Sequence, residues 1–183
     1  MEKVKVGIVG CGNISPIYFK NCINVFDILE VKACADLIPE RAKAKADEYG
    51  VKAYTVEELM ADDEIEIVLN LTIPNAHYTV CNMALDYGKS THTEKPLSIK
   101  LEEGKTLTDK AASKGLLLGG APDTFMGAGI QTCRKLIDDG WIGDIIGATA
   151  FMFTPGHERW HPDPEFYYKR GGEDLCLIWD LIT

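Results

Sequence analysis

The amino-acid sequence predicts an α/β fold, a doubly wound parallel sheet with helices on both faces. Short apolar runs rich in β-branched residues alternate along the chain with longer stretches of helical pattern. Runs of this kind are typical of strands buried on both faces of a parallel sheet. Strands that alternate with helices are joined by right-handed crossovers, and this connection indicates the doubly wound arrangement.

Each predicted strand is a dense apolar run, and several predicted helices stop at a glycine that follows Tyr or Lys, a common helix end. The strands are predicted at Val4 to Gly10, Ile28 to Asp36, Glu64 to Thr72 and Gly115 to Pro122, with a short strand before Glu94. The helices are predicted at Ser15 to Phe26, Pro39 to Tyr49, Val56 to Ala61, Asn75 to Tyr87 and Leu101 to Lys114.

The pattern changes after Pro122. A helix is predicted at Ala128 to Asp139, followed by a turn and a strand at Ile145 to Thr154. Residues 155–168 are rich in aromatic residues, His and Pro, and they show no periodicity. We therefore expect a first domain at residues 1–122 and the opening of a second domain at residues 123–183.

Composition and charge exclude several classes of protein. The chain has 183 residues, of which 46% are hydrophobic and 26% charged, so a packed core is expected. A formal net charge of -9 argues against nucleic-acid or anionic-membrane partners, and no apolar run approaches the roughly 20 residues of a membrane span. The first residues lack a signal-peptide layout, and the six cysteines form no C-x-x-C pair. Reduced thiols in a cytoplasmic protein are expected.

A glycine turn follows the first predicted strand, in the stretch GIVGCGNIS. Gly10 permits a tight turn, and Gly12 lets backbone N–H groups approach a pyrophosphate at the start of the next helix. Ser15 occupies the third position of this fingerprint, where a small residue still allows close packing of helix on strand. Such a loop taken alone is equally compatible with a structural turn.

Asp36 at the end of the second strand supports the nucleotide interpretation. It lies 24 residues after Gly12, near the spacing of about 20 for an acid that binds the ribose of a dinucleotide. Its carboxylate would accept hydrogen bonds from ribose hydroxyls and repel a 2′-phosphate, and Leu37 rather than Arg follows it. NAD is therefore favoured over NADP. The alternative is a solvated carboxylate at a strand end.

Polar residues after the third long strand and after the short strand are further candidates. Thr72, Pro74, Asn75 and His77 would face the crevice at the carboxyl ends of the strands, although His77 could instead begin a helix without a ligand role. Lys95, in the stretch GKSTHTEKPLS, could hold a substrate hydroxyl and lower the cost of its deprotonation. An exposed charged turn is the alternative for this segment.

The ordered set GIVGCGNIS, ACADLIPERA, TIPNAHYTV, GKSTHTEKP and LIDDGWIGDI resembles the Gfo/Idh/MocA oxidoreductase family over about residues 3–170. The resemblance implies an N-terminal Rossmann domain followed by an α+β domain that carries the substrate and usually the oligomer contacts. It also implies hydride transfer between nicotinamide and a sugar or cyclitol hydroxyl. A homo-oligomer is implied for full-length family members.

The resemblance also implies roles for individual residues. The Lys95–Pro96 peptide would be cis, Lys95 would be catalytic, and Trp160 and His161 correspond more loosely to second-domain residues near the cofactor or substrate. Pyrophosphate contacts would come from Gly10, Gly12, Asn13 and Ile14, and the ribose contact from Asp36; Thr72, Ile73, Pro74, Asn75 and His77 would line the cofactor, with Glu94 and Lys95 at its nicotinamide end.

Other functions remain open from the sequence. No metal site is predicted, because prolines surround His157 and His161 and exclude a helix that would pair them. A catalytically dead nucleotide-binding module would bind NAD without turnover. A lyase or glycosidase that recycles NAD on this scaffold would form product without net NADH.

The closing residues depart from the family pattern after Gly172. Glu173 to Thr183 can be encoded by a DNA sequence that gives a different peptide when translation begins two bases later. That peptide is GPMFDMGPYY, which matches the family's second-domain motif. We hypothesise a change of reading frame at this point. We therefore expect the 183-residue chain to show no dehydrogenase turnover.

Overall fold

The fold is taken from a computed structural model that describes residues 2–149 and 151. Two compact units are present, one ending at Ala121 and the other beginning at Pro122. The sequence-derived assignments at His157, Trp160, His161 and the closing segment lie outside the described residues.

The first unit is built on a six-stranded sheet in which every pair of neighbouring strands is parallel. The strand order is β3-β2-β1-β4-β5-β6, the order typical of dinucleotide-binding doubly wound folds. The predicted α/β fold class is therefore confirmed. The strands are β1 (Val4–Val9), β2 (Leu29–Ala35), β3 (Lys52–Tyr54), β4 (Ile67–Asn70), β5 (Ser90–Thr93) and β6 (Leu118–Gly120).

Helices connect successive strands, and local sequence signals set their ends. Thr55 and Glu58 form a reciprocal capping box at the start of the third helix. Gly50 and Gly115 adopt the left-handed conformation after the second and fifth helices, which explains why the predicted ends of those helices are confirmed. The helices of this unit are α1 (Ser15–Asn24), α2 (Pro39–Tyr49), α3 (Val56–Ala61), α4 (Pro74–Asp86) and α5 (Leu101–Lys114).

The core lies between the sheet and its helices in three apolar clusters. The first packs Phe19 of α1 against β1 and β2, and the second packs Leu59 and Met60 of α3 against β1, β2 and β4. The third joins Leu85 of α4 to Leu107 of α5. The side chains of all five residues are fully buried, so the loops at the strand ends are held by a packed scaffold.

The described part of the second unit contains a 3₁₀ turn (Thr124–Met126) and helix α6 (Ala128–Asp138). The strand predicted at Ile145 to Thr154 is wrong over residues 145–149, which form no strand. Ile145 and Ile146 are exposed, and within the described residues no neighbouring strand pairs with them. The backbone N–H and C=O groups of a strand form their hydrogen bonds with a neighbouring strand, so an apolar β-branched run without such a neighbour is not stable as a strand.

Candidate functional site

The strands that carry the candidate residues end at the same level. Val9 is the register partner of both Ala35 and Asn70, and Asn70 is the partner of Thr93. These four residues are the last of β1, β2, β4 and β5. The loops that follow them therefore share one edge of the sheet, where ligands bind in open α/β folds. We call it the carboxyl edge.

Gly10 makes the tight turn after β1. Its φ of 101° is a conformation that residues with a Cβ rarely adopt. A Cβ at this position would lie 2.5 Å from the carbonyl oxygen of Leu71, which follows β4. The N–H of Gly10 donates to the carbonyl of Ala35 at 2.8 Å. The backbone after β1 thus passes so close to the backbone after β4 that only glycine fits.

Gly12 has a different environment. A Cβ added there would come within 4 Å of no other atom of the described residues, and its φ lies outside the left-handed region. The fold itself therefore gives no reason for glycine at this position. Ser15, whose hydroxyl donates to the Gly12 carbonyl at 2.8 Å, begins α1. No side chain of the described residues caps this helix start, and its N–H groups and dipole favour an anion.

Asp36 lies beside the glycine turn at the end of β2. Its Oδ2 accepts a hydrogen bond from the N–H of Cys11 at 2.8 Å, and its Oδ1 accepts one from the N–H of Ile38 at 2.9 Å. These two bonds fix the carboxylate against the loop. Because a carboxylate can accept about four hydrogen bonds, it retains capacity for hydroxyl donors.

The loop between β4 and α4 is held by Asn70, a residue that the sequence did not single out for a role. Its Oδ1 accepts from the hydroxyl of Thr72 at 2.6 Å, and its Nδ2 donates to the carbonyl of His77 at 3.0 Å. The Asn70 side chain is fully buried, and both ends of its amide are satisfied. Ile73, the last residue of this loop, and Asn75 in the first turn of α4 are exposed, whereas Pro74 at the start of α4 is buried.

His77 is buried between two loops. Its Nδ1 lies 2.6 Å from the carbonyl of Pro96, and its Nε2 lies 3.0 Å from the carbonyl of Thr72. Since carbonyl oxygens only accept, each contact is a hydrogen bond when the ring nitrogen concerned carries a proton. The residue is 1% exposed. Direct contact between His77 and a cofactor stays a prediction, but the structure shows it joining the two loops that carry other candidate residues.

Glu94 and Lys95 follow β5 in a turn whose Lys95–Pro96 peptide is cis, as the resemblance implies. The Glu94 N–H donates to the carbonyl of Asn70 at 2.9 Å. Glu94 Oε1 accepts from the hydroxyl of Tyr18 at 2.5 Å. Tyr18 is a second residue that sequence reasoning missed, because an aromatic residue within a helix pattern is ordinarily assigned to the core.

All the predicted site residues that the structure describes lie in the loops of the carboxyl edge or in the first turn of a helix that follows one of them. Binding of a ligand by any of them stays a prediction. Within residues 2–149 and 151, no group of three or more His, Cys, Asp or Glu side chains could hold a metal ion. In the same residues no helix is both long and apolar enough to cross a bilayer.

Comparison with protein families gives a match over residues 4–120. The matching family is Gfo/Idh/MocA, described as an oxidoreductase family with an NAD-binding Rossmann fold.

Two inositol dehydrogenases are among the relatives. Inositol 2-dehydrogenase/D-chiro-inositol 3-dehydrogenase of Lactiplantibacillus plantarum is 32% identical over 144 residues, which are 76% of this chain and 41% of the relative. The NADP(+)-dependent scyllo-inositol 2-dehydrogenase of Bacillus subtilis is 29% identical over 182 residues, which are 99% of this chain and 49% of the relative. The chain spans about half the length of the curated relatives it matches.

A solved structure shows the same fold. Myo-inositol dehydrogenase from Lactobacillus casei, in complex with NAD(H) and myo-inositol, superposes with a TM-score of 0.72 at 30% identity. The alignment covers 77% of this chain and 43% of that chain.

Proposed function

This chain belongs to the Gfo/Idh/MocA family of oxidoreductases, and we propose that the carboxyl edge of its sheet binds NAD for oxidation of a sugar or cyclitol hydroxyl. The relatives that match along the chain act on inositols by name, which supports a polyhydroxylated ring as the substrate class. The proposal has three parts: where the dinucleotide binds, why NAD is preferred, and what Lys95 does.

The observation that carries the proposal is the open space at Gly12. The environment of Gly10 explains its lack of a side chain, whereas no described residue explains the lack at Gly12. A pyrophosphate against the loop and the start of α1 would supply the reason, because a Cβ would block its approach to the backbone. In the proposed site the pyrophosphate is bound by Gly10, Gly12, Asn13 and Ile14, and the adenosine ribose is bound by Asp36. The walls of the site are formed by Thr72, Ile73, Pro74, Asn75 and His77. Glu94 and Lys95 lie at its nicotinamide end.

Asp36 supports NAD over NADP. Its carboxylate is fixed by two backbone N–H groups, so it cannot swing away from a 2′-phosphate without breaking both bonds. No salt bridge among the described residues includes Asp36, so its negative charge is not offset by a paired cation. Leu37, the next residue, is 94% exposed and offers a phosphate no charge.

Lys95 is the proposed catalytic residue. A bound nicotinamide supplies the acceptor for hydride from a carbinol carbon. The ammonium group of Lys95 would donate a hydrogen bond to the substrate oxygen and stabilise the negative charge that develops there as the hydroxyl proton passes to solvent. Glu94 and the cis turn hold the backbone of Lys95 at the end of β5, next to the loop after β4.

Calorimetric titration tests cofactor preference. The wild-type chain is expected to bind NAD+ more tightly than NADP+, and Asp36→Asn is expected to lose about tenfold in NAD+ affinity, since a hydrogen bond to a charged group is removed. The same substitution should narrow the gap to NADP+, because the charge that repels a 2′-phosphate is gone. Equal NAD+ affinity in both proteins would contradict the role of Asp36. Asp47→Asn, an exposed change on α2, is the matched control.

A further inference from the structure

The turn that carries Glu94, Lys95 and Pro96 is held at both ends by side chains from other elements. At its start, the hydroxyl of Tyr18 on α1 donates to Glu94 Oε1 at 2.5 Å. At its end, the Pro96 carbonyl lies 2.6 Å from Nδ1 of His77 on α4. Lys95 lies between these two contacts in the chain.

These contacts connect parts of the chain that are far apart in sequence. Tyr18 and Glu94 are 76 residues apart, and His77 and Pro96 are 19 apart. The Tyr18 contact is partly buried and the His77 contact is buried, so water competes weakly for the groups involved. A hydrogen bond to a carboxylate is also stronger than one between neutral groups. Both contacts therefore restrict the conformation of the turn.

We propose that Tyr18 and His77 are positioning residues that orient Glu94 and Lys95 for hydride transfer. The inference rests on the proposed function, which places Glu94 and Lys95 at the nicotinamide end of the cofactor. Neither residue needs to touch the reacting atoms: Tyr18 acts through the Glu94 carboxylate, and His77 acts through the Pro96 carbonyl. Their helices begin at the glycine turn and at the loop after β4, so the elements proposed to bind the dinucleotide also orient the catalytic turn.

This role predicts a selective effect on ligand binding. ADP carries only the adenosine and pyrophosphate part of the cofactor, whereas NADH also carries the nicotinamide riboside. Loss of the Tyr18 hydroxyl should weaken NADH binding about tenfold and leave ADP binding within about twofold, because only the nicotinamide end depends on the turn. A merely structural role for Tyr18 would weaken both ligands together.

A double-mutant cycle tests whether Tyr18 acts through Glu94. NADH and ADP are titrated into the wild-type chain, Tyr18→Phe, Glu94→Gln and the double variant. We expect the double variant to bind NADH as weakly as Glu94→Gln alone, since residues that act through one contact are not additive. Multiplied losses of NADH affinity, or an equal loss for ADP, would overturn the proposal. Tyr87→Phe, a Tyr that is 52% exposed at the end of α4, is the control.

His77 provides the second arm of the test. His77→Ala removes both ring contacts and is expected to weaken NADH binding. His77→Gln restores an amide donor and should recover part of the lost NADH affinity, and no recovery would overturn the positioning role of His77. If the wild-type chain bound neither ligand, the proposed function would fail along with this inference. If it bound both while Tyr18→Phe kept full NADH affinity, only the positioning role would be wrong.

Discussion

The two edges of the sheet both concentrate polar groups, but they use them differently. At the amino edge, Asp62 and Glu64 in the segment that precedes β4 form ion pairs with Lys32 of β2, whose Nζ lies 2.6 Å from Asp62 Oδ2. Lys89 is buried there and donates to the carbonyls of Asp62 and Ile65. The lysine ammonium groups described at this edge are therefore paired with carboxylates or with backbone carbonyls.

The carboxyl edge differs from the amino edge at three positions. Asp36 is held by backbone N–H groups rather than by a cation, the start of α1 lacks a side-chain cap in the described residues, and Gly12 leaves space beside it. In a parallel sheet the helices that follow the strands all begin at this edge, so their dipoles favour an anion there. The difference teaches that the polar groups described at the amino edge stabilise the fold by pairing with one another, whereas Asp36 and the start of α1 at the carboxyl edge keep hydrogen-bonding capacity that no described side chain uses.

Gly10→Ala is expected to have the largest effect on the carboxyl edge, because it changes both the stability of the fold and the proposed NAD site. The added Cβ would overlap the backbone at Leu71, and the φ of 101° disfavours any side chain. We expect the free energy of unfolding to fall by about 3 kcal/mol and NAD binding to be lost. Urea denaturation and calorimetry measure the two effects.

The matched control is Gly50→Ala. Gly50 also has a positive φ, of 70°, but an added Cβ there would meet no described atom within 4 Å. Its cost is expected to be about 1 kcal/mol, the conformational penalty alone, with NAD affinity unchanged. Equal losses of stability for the two variants would contradict the steric explanation at Gly10.

The sequence was sufficient for the parts of the fold that depend on local signals. The glycine ends of α2 and α5 and the buried runs of β1 and β2 follow from residue type and spacing. Strand β3 was missed because its three residues are exposed or half-buried and have no apolar run; they form a strand through pairing with Ala33 to Ala35 of β2. The strand predicted from Ile145 shows the converse, a suitable pattern without a described partner.

Candidate site residues could be proposed from the sequence where the type and spacing of a single residue indicate its role. They could not be proposed where the role of a residue depends on its contact with another residue. Gly12 and Asp36 were proposed from their spacing and their position after strands, and both lie at the carboxyl edge; their binding of a ligand stays a prediction. Tyr18 could not be found in this way, since its meaning depends on Glu94, 76 residues away. Asn70 was equally hidden, because a polar residue that ends an apolar strand gives no indication of its hydrogen-bond partners.

The smallest expected effect is at the amino edge, and it changes how the stability of the fold depends on pH. Lys32 holds the pKa of Asp62 below its usual value, and Lys32 and Lys5 together lower the pKa of Glu64 to about 2. Lowered carboxyl pKa values stabilise the folded state above the usual value of 4.5 for Glu, and this stabilisation is lost as pH falls toward 2.

Lys32→Met should therefore reduce the urea midpoint at pH 7 and flatten its decline between pH 4.5 and 2, because less stabilisation remains to be lost. NAD affinity should stay at the wild-type value. A variant that lost NAD affinity while its stability was unchanged would show that the amino edge belongs to the binding site, and the contrast between the edges would be wrong.

The most direct measurement of the central claim is NAD titration of Gly12→Ala, together with its urea denaturation. Since a Cβ at this position would contact no described atom, the unfolding midpoint should match that of the wild-type chain. The NAD affinity should fall at least about tenfold, because the Cβ would occupy the space proposed for the pyrophosphate. Unchanged NAD affinity with unchanged stability would contradict the claim that the carboxyl edge binds the dinucleotide at Gly12.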